Sequence, residues 1–282
     1  MKTDKLWLPY VLPFAVYMAF LTLQSNDNLL WMYPLKIIAV AGTLWYFRKE
    51  YAELAAWFPF VRRGSPDPAA PADREVSTPA QETFGQKKVR GQETHAQQSL
   101  TGAQRVSTLT LAVLIGLIVI VIWIGIDPYY PKFSELWRMM EGGLNALFGK
   151  PPPAVDTTPP FDPTTIADPS VRYAFITFRV FGAVVVVAFM EEIFWRGFLI
   201  RWLIKEDFKS VPMGAFAWSS FWITVLLFGA EHDQWLAGLI CGALYNWLYY
   251  RTKDLFACVV AHAVSNAALA AWVLVRQDWK FW

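Results

Sequence analysis

Long apolar runs separated by polar connections dominate the chain. A helix that spans a bilayer needs about 20 mostly apolar residues, and seven stretches meet this requirement. These stretches are residues 6–23, 29–47, 109–126, 180–200, 211–230, 235–250 and 255–275. Residues 51–61 are a possible eighth, but this run is short and carries Glu53, which favours an interfacial segment. The pattern predicts an all-α, polytopic transmembrane helix bundle with seven or eight spans.

Two connections between the apolar runs are long. Residues 63–105 are rich in Pro, Ala, Gln, Ser and Thr, and such a composition buries too little apolar surface to offset chain entropy, which predicts a disordered cytoplasmic linker. In the second connection, residues 133–148 form an amphipathic pattern typical of a helix on the bilayer surface. The predicted layout is an amino-terminal unit (1–62), the linker, and a carboxyl-terminal unit (106–282) with its core at about 172–276.

Composition agrees with a membrane protein and indicates an orientation. Hydrophobic residues make up 55% of the chain and charged residues 17%, against about 25% charged in soluble domains. Lys and Arg concentrate after the second, fourth and sixth spans, within residues 48–105, 201–209 and 251–253. Because positive residues stay on the cytoplasmic side, we expect a cytoplasmic amino terminus. The two cysteines lie in apolar runs and imply no disulfide framework.

The span at residues 180–200 contains three charged side chains, Glu191, Glu192 and Arg196. Each costs roughly 2.5–3.5 kcal/mol in a bilayer, so such residues indicate function. Glu192 and Arg196 are four residues apart and share a helix face, which predicts an ion pair. Glu191 is turned about 100° away and is left free to act as a general base. The alternative is that all three form a buried ion network that only fixes packing.

Two further polar patterns lie in later apolar runs. Phe228 and His232 are four residues apart, as are His262 and Asn266, so each pair shares a helix face. A His and an Asn on one stripe are suited to hold a developing oxyanion, although a single His in a span more often serves packing. The third histidine, His95, lies in the long polar connection. The remaining two therefore accompany the paired carboxylates, which favours one common site.

These three patterns resemble the motifs of the CAAX-protease and bacteriocin-processing family of intramembrane peptidases, which includes the Ras-converting type. The motifs read E-E-x-x-x-R, F-x-x-x-H and H-x-x-x-N, and they occur here in that order across roughly residues 180–275. The run at residues 122–128 also looks like the bacterial CAAX-related branch associated with exosortase systems.

The resemblance implies an endopeptidase that hydrolyses a peptide bond without a covalent intermediate, a metal or a cofactor. Glu191 and His232 would activate water, while His262 and Asn266 would stabilise the oxyanion. Glu192, Arg196 and Phe228 would support this architecture. The expected partners are the lipid bilayer and a membrane-associated peptide or protein, lipidated or not, and no nucleic acid. The expected location is the inner membrane of a bacterium.

Three other interpretations remain open at this point. Glu191, His232 and His262 match the three ligands of a catalytic zinc site, but no H-E-x-x-H sequence occurs. A non-catalytic scaffold or immunity protein with the same fold is a second alternative, and a transporter with carboxylate ion sites is a third. One difficulty concerns depth, since His232 is expected near a span end and Glu191 near mid-bilayer. A common site then requires a tilted helix or a cavity that reaches into the bilayer.

Overall fold

The computed structural model describes residues 5–55, 57–58, 101–154 and 158–282, and every regular element in these ranges is helical. The helices are α1 (Leu8–Leu23), α2 (Leu29–Tyr46), α3 (Gly102–Ile126), α4 (Phe133–Leu147), α5 (Pro169–Trp202), α6 (Trp218–Ala230), α7 (Trp235–Thr252) and α8 (Leu255–Arg276). The all-α prediction is therefore confirmed. Helix α5 is central, and α8 packs against both α5 and α3.

Four of these helices are long and apolar enough to cross a membrane, namely α2, α3, α5 and α8. These candidate spans indicate an integral membrane protein. Helices α1 and α6 are apolar but shorter. The predicted number of seven or eight spans is therefore not confirmed.

Helix α3 begins earlier than the sequence pattern predicts. Its first residue is Gly102, whereas the predicted span starts at residue 109 and the predicted linker extends to residue 105. Thr101 caps the helix, since its hydroxyl accepts a hydrogen bond from the Gln104 amide (3.3 Å) and the Gln104 side chain accepts one from the Thr101 amide (2.9 Å). This capping box stabilises a polar first turn. The linker up to residue 100, which we expect to be disordered, lies outside the described residues.

Helix α5 also begins earlier, at Pro169, where Asp168 accepts hydrogen bonds from the first backbone amides. The helix is not regular. Two π-helical segments, Gly182–Val187 and Ile193–Leu199, flank a short α-helical stretch at Ala188–Glu192. Such segments widen the turn, leave backbone carbonyls free for other donors, and occur frequently at functional sites.

Helix α6 is shorter than predicted. Residues 211–217 are not helical, and the helix has 13 residues from Trp218 to Ala230. At a rise of 1.5 Å per residue it is about 20 Å long, whereas the hydrocarbon core of a bilayer is about 30 Å thick. Helix α6 alone is therefore too short to cross this layer, and His232 lies two residues beyond its carboxyl end.

The segment that begins at residue 51 is described only in part. Among its described residues, one helical turn forms at Ala52–Leu54. Glu53 is buried. Its carboxylate pairs with Arg201 near the end of α5 (2.5 Å) and accepts a hydrogen bond from the Tyr10 hydroxyl (2.8 Å). The charge is tolerated inside the bundle because Arg201 compensates it.

The predicted surface helix is present as α4. Its large apolar side chains, among them Trp137, Met139 and Leu147, are exposed. The backbone of α4 is tied to the α6–α7 turn, since Asp233 accepts hydrogen bonds from Phe133 through its carbonyl (2.8 Å) and from Ser134 through its carboxylate (2.8 Å). Helix α4 therefore sits at the same end of the bundle as the turn after α6.

Candidate active site

A buried arginine organises the centre of the bundle. Arg196 donates from Nη1 to both carboxylate oxygens of Glu192 (3.0 and 3.1 Å), and neither side chain is exposed. The ion pair predicted from the i,i+4 spacing is therefore present. Arg196 also donates from Nε to Oδ1 of Asn246 (3.1 Å) and from Nη2 to the Gly242 carbonyl (3.3 Å), both on α7. These bonds satisfy a charge that would otherwise be costly to bury.

Two aromatic rings enclose the same guanidinium. The Phe228 ring centroid lies 4.9 Å from Cζ of Arg196, and the Tyr245 centroid lies 5.4 Å from it. Both distances are within the range of cation–π attraction. Phe228 therefore contacts the ion pair directly, which is the kind of supporting contact expected for it from the sequence.

His262 on α8 is held by the same carboxylate. Its Nδ1 lies 2.9 Å from Oε1 of Glu192, and the Tyr245 ring stacks against the imidazole with centroids 5.5 Å apart. Because a carboxylate only accepts hydrogen bonds, Nδ1 carries the proton. The other ring nitrogen, Nε2, faces Glu191 at 4.0 Å from its Oε2. Glu192 thus orients His262 in addition to pairing with Arg196, a contact that the helix periodicity alone did not predict.

Glu191 has a different environment from its neighbour. The side chain is 5% exposed, and within the described part of the chain its Oε2 has no hydrogen-bond partner. The 4.0 Å gap to His262 is too long for a direct hydrogen bond. Buried polar atoms are rarely left without a partner. The two adjacent carboxylates therefore differ, because both oxygens of Glu192 are paired with Arg196 and Oε2 of Glu191 has no partner among the described residues.

His232 lies in the turn after α6. Its Nδ1 is 2.8 Å from the Phe228 carbonyl, and its ring packs edge-on against Trp123 with centroids 5.2 Å apart. Since a carbonyl accepts, Nδ1 carries the proton and Nε2 is left as an acceptor. The neighbouring Glu231 is half-buried and has an Oε2 atom without a partner among the described residues.

Asn266 lies one turn beyond His262 on α8. Its Nδ2 donates to the Ala183 carbonyl (2.8 Å), which belongs to the first π-helical segment of α5. The bond satisfies a carbonyl in the irregular part of that helix and fixes the amide group. Asn266 retains one further N–H for another acceptor.

A cavity of about 390 Å³ brings the predicted residues together. Glu191, His232, His262 and Asn266 all line it. The cavity reaches from Glu191 to Asp233 in the α6–α7 turn. Non-helical backbone is tolerated at membrane depth where it lines a cavity. The sequence analysis required a tilted helix or a cavity for a common site, and the structure contains such a cavity.

Several contributors to the site were not predicted. They are Tyr17, Glu231, Tyr245 and Asn246. Asn246 is a polar residue in an apolar helix. Polar residues are rare in such helices, and this observation, which drew attention to Glu191, applies to Asn246 as well. Tyr245 gives no comparable signal in the sequence, because its role depends on packing between α7 and α8. Its hydroxyl lies 2.6 Å from the Ser265 hydroxyl, which donates to the His262 carbonyl (2.8 Å).

Across the described ranges, no three His, Cys, Asp or Glu side chains are grouped so that they could hold one metal ion. Glu191, His232 and His262 line a common cavity but do not form such a cluster. The arrangement of these three side chains therefore does not match the zinc-ligand set considered from the sequence.

A comparison with known protein families agrees with the interpretation of the three motifs, for one region of the chain. Residues 173–268 match the family described as Type II CAAX prenyl endopeptidase Rce1-like. No match to a curated protein or to a solved structure was found. The matched region gives no support to the exosortase-associated branch suggested by residues 122–128. Residues 173–268 are therefore similar to an Rce1-like type II CAAX prenyl endopeptidase domain, a family that suggests an intramembrane protease.

Proposed function

We propose that the chain is an intramembrane endopeptidase of the glutamate type, which hydrolyses a peptide bond with water activated by Glu191. One observation carries the proposal. The Oε2 atom of Glu191 is buried, has no partner among the described residues and faces a cavity lined by two histidines and an asparagine. A general base needs such an unoccupied oxygen within reach of its proton source.

In this mechanism, a water molecule binds between Oε2 of Glu191 and Nε2 of His262. The 4.0 Å separation is too long for a direct bond but suits two bonds through one water. Glu191 takes a proton from the water, and the hydroxide attacks the carbonyl carbon of the peptide. His232 assists, because its Nε2 is an acceptor once Nδ1 is bonded to Phe228. No covalent bond between protein and substrate forms.

The oxyanion requires donors, and His262 and Asn266 supply them. Before the proton transfer, Glu191 is ionised and His262 carries a proton on both ring nitrogens, so the formal charges of Glu191, Glu192, Arg196 and His262 sum to zero, which lowers the cost of burying them together. His262 then donates from Nε2, and Asn266 donates its remaining N–H. Collapse of the intermediate breaks the C–N bond, and the proton held by Glu191 passes to the leaving amine. The products are a carboxylate and an amine.

The substrate class follows from the location of the cavity. A cavity within a helix bundle accepts a peptide that is itself associated with the membrane, with or without a lipid anchor. We propose that the protein lies in the inner membrane of a bacterium with its amino terminus in the cytoplasm, and the Lys and Arg distribution supports this orientation.

The test uses the full chain purified into lipid nanodiscs with libraries of lipidated and unlipidated peptides. We expect cleavage by the wild type that is retained with a chelator and lost in Glu191→Gln. Glu141→Gln is the matched control, because Glu141 is an exposed residue of α4. In H₂¹⁸O, the new carboxylate should gain one heavy oxygen.

Two results would contradict the proposal. Loss of cleavage with a chelator and its return with added zinc would indicate the metal-dependent alternative. A folded wild type that binds peptides and cleaves none of them would favour the non-catalytic scaffold.

A further inference from the structure

Helix α4 presents an apolar stripe that no other described part of the chain covers. None of the residues of this helix is buried. Large apolar side chains recur along it at intervals of three and four residues, which is the spacing of one helix face. The stripe consists of Phe133, Leu136, Trp137, Met140, Leu144 and Leu147, all of which are exposed. The charged residues Glu135, Arg138 and Glu141 lie outside the stripe. An exposed apolar face of this extent indicates an interaction surface.

The start of α4 lies close to the end of a candidate membrane span. Helix α3 is long and apolar enough to cross a membrane, and it ends at Ile126. The next residue, Asp127, pairs through its carboxylate with Lys132 (2.8 Å), which directly precedes α4. This ion pair keeps the end of α3 and the start of α4 together. An apolar stripe that begins where a candidate span ends is within reach of the lipid interface.

Helix α4 is also fixed to the turn between α6 and α7. Besides the two hydrogen bonds that Asp233 accepts from the first amides of α4, the Pro131 carbonyl accepts one from Nε1 of Trp235 (2.9 Å). Asp233 lines the catalytic cavity and directly follows His232 in the chain. The position of α4 therefore bears on the position of this turn.

We propose that the apolar stripe of α4 docks onto the lipid surface of the adjoining membrane leaflet and that α4 thereby holds the α6–α7 turn at the membrane boundary. Amphipathic helices of this kind lie in the interface with their apolar face turned toward the acyl chains. Trp137 lies within the stripe, and tryptophan concentrates at membrane interfaces. The helix carries two acidic residues and one basic residue, so burial of apolar surface accounts for the docking, rather than attraction to anionic headgroups.

Spin labels on two sides of α4 test the docking. Leu144→Cys places a nitroxide in the stripe, and Ala146→Cys places one about 200° around the helix, at another exposed position. In nanodiscs of zwitterionic phosphatidylcholine, collisions of each label with oxygen and with a water-soluble nickel chelate are compared. We expect the ratio of oxygen to nickel collisions to be at least about fivefold higher at Leu144 than at Ala146. The wild-type chain treated with the same reagent gives the background, because Cys241 and Cys258 are buried.

Two outcomes would overturn the docking. Equal collision ratios at the two positions, with free access of the nickel chelate, would show that the stripe faces water. Low collision rates of the Leu144 label with both reagents would show that a second copy or another part of the chain covers the stripe instead of lipid.

A further label tests whether α4 holds the turn. Gln234→Cys places a nitroxide in the α6–α7 turn, and Met140→Ser together with Leu144→Ser weakens the stripe. We expect the rotational correlation time of the label to fall at least about twofold in this double-serine background. Met139→Ser is the matched control, since Met139 is exposed on α4 outside the stripe, and it should leave the correlation time unchanged. Equal correlation times in the double-serine and wild-type backgrounds would show that α4 does not hold the turn. Neither measurement requires peptide cleavage, so both decide this inference independently of the proposed peptidase function.

Discussion

Nδ1 of His262 lies 2.9 Å from Oε1 of Glu192, and the same carboxylate pairs with Arg196 at 3.0 Å. The buried carboxylate of Glu192 therefore accepts hydrogen bonds from Arg196 on its own helix and from His262 on α8. Among the described residues, Oε2 of the adjacent Glu191 has no such partner. The two neighbouring glutamates thus have different roles, since Glu192 holds the architecture and Glu191 faces the cavity.

This difference predicts opposite effects of two equivalent substitutions. Glu192→Gln leaves the Arg196 charge buried without its counter-charge, which should cost about 3–5 kcal/mol of stability. Glu191→Gln removes a carboxylate oxygen that accepts no hydrogen bond among the described residues, so the melting temperature should fall less than in Glu192→Gln while peptide cleavage is lost. Differential scanning fluorimetry in detergent, combined with the cleavage assay, measures both quantities. A larger loss of stability in Glu191→Gln than in Glu192→Gln would contradict this assignment.

The sequence was sufficient to predict the candidate site residues as one group, because charges and histidines are rare in apolar helices and each is informative. It was not sufficient for the contacts between helices. The hydrogen bond from His262 to Glu192 and the enclosure of Arg196 by Tyr245 depend on how α5, α7 and α8 pack. Helix periodicity relates residues on one helix, and it contains no information about which faces of different helices meet.

The predicted ends of two helices were wrong, because hydropathy gives no information about turns and caps. The span at residues 211–230 was predicted from hydropathy alone, but its first part is not helical. There, Gly214 has a φ of 74°, which favours glycine, and an added Cβ would lie 2.6 Å from the Lys253 side chain. Conversely, the polar first turn of α3 was assigned to a linker, although Thr101 and Gln104 form a capping box. Hydropathy therefore located the apolar cores of helices better than their ends.

The contact between α3 and α8 gives a second prediction. A Cβ at Gly116 would lie 2.5 Å from the Ala261 carbonyl oxygen and 2.9 Å from Cβ of Val264. Because the first obstacle is backbone, the helices must move apart, and Gly116→Ala should destabilise the protein by about 1–3 kcal/mol. It should also lower cleavage activity, since His262 follows Ala261 directly on α8.

Gly125 on the same helix is the matched control for Gly116. A Cβ at Gly125 meets nothing within 4 Å, and alanine has the higher helix propensity. Gly125→Ala should therefore leave the melting temperature unchanged or raise it slightly. Equal melting temperatures for the two variants would show that α3 and α8 are less closely packed than the structure indicates.

The third prediction concerns Asp127, which follows α3 outside the candidate span. It pairs with Lys132 (2.8 Å) and Lys280 (3.0 Å). Burial tends to raise the pKa of this carboxyl, but its hydrogen bonds to the two lysines outweigh burial, so the pKa lies below its ordinary value. A pKa depressed by folding contributes stability at pH values above the unfolded pKa, and this contribution is lost as the pH falls through the folded pKa.

Asp127→Asn should therefore lower the melting temperature by about 1–3 °C at pH 7. The difference from the wild type should persist at pH 5, begin to shrink below about pH 4, where the unfolded carboxyl becomes protonated, and disappear only when the pH falls below the depressed pKa of the folded state. Glu141→Gln is a control without an ion pair in the described part of the chain. Equal melting temperatures of Asp127→Asn and the wild type at pH 7 would show that the ion pairs contribute nothing.

The last prediction concerns the side of the membrane to which the active-site cavity opens. Lys280 and Trp282, beyond the carboxyl end of α8, line the cavity, whereas Arg201 and the loop after α5 lie at the opposite end of the bundle. The cytoplasmic amino terminus inferred from Lys and Arg bias then places the cavity opening outside. Gln277→Cys should react with a membrane-impermeant maleimide in intact cells, and Glu206→Cys only after permeabilisation. Cys241 and Cys258 are buried and should give little background. The reverse labelling pattern would place the cavity opening, and the substrate's point of entry, on the cytoplasmic side.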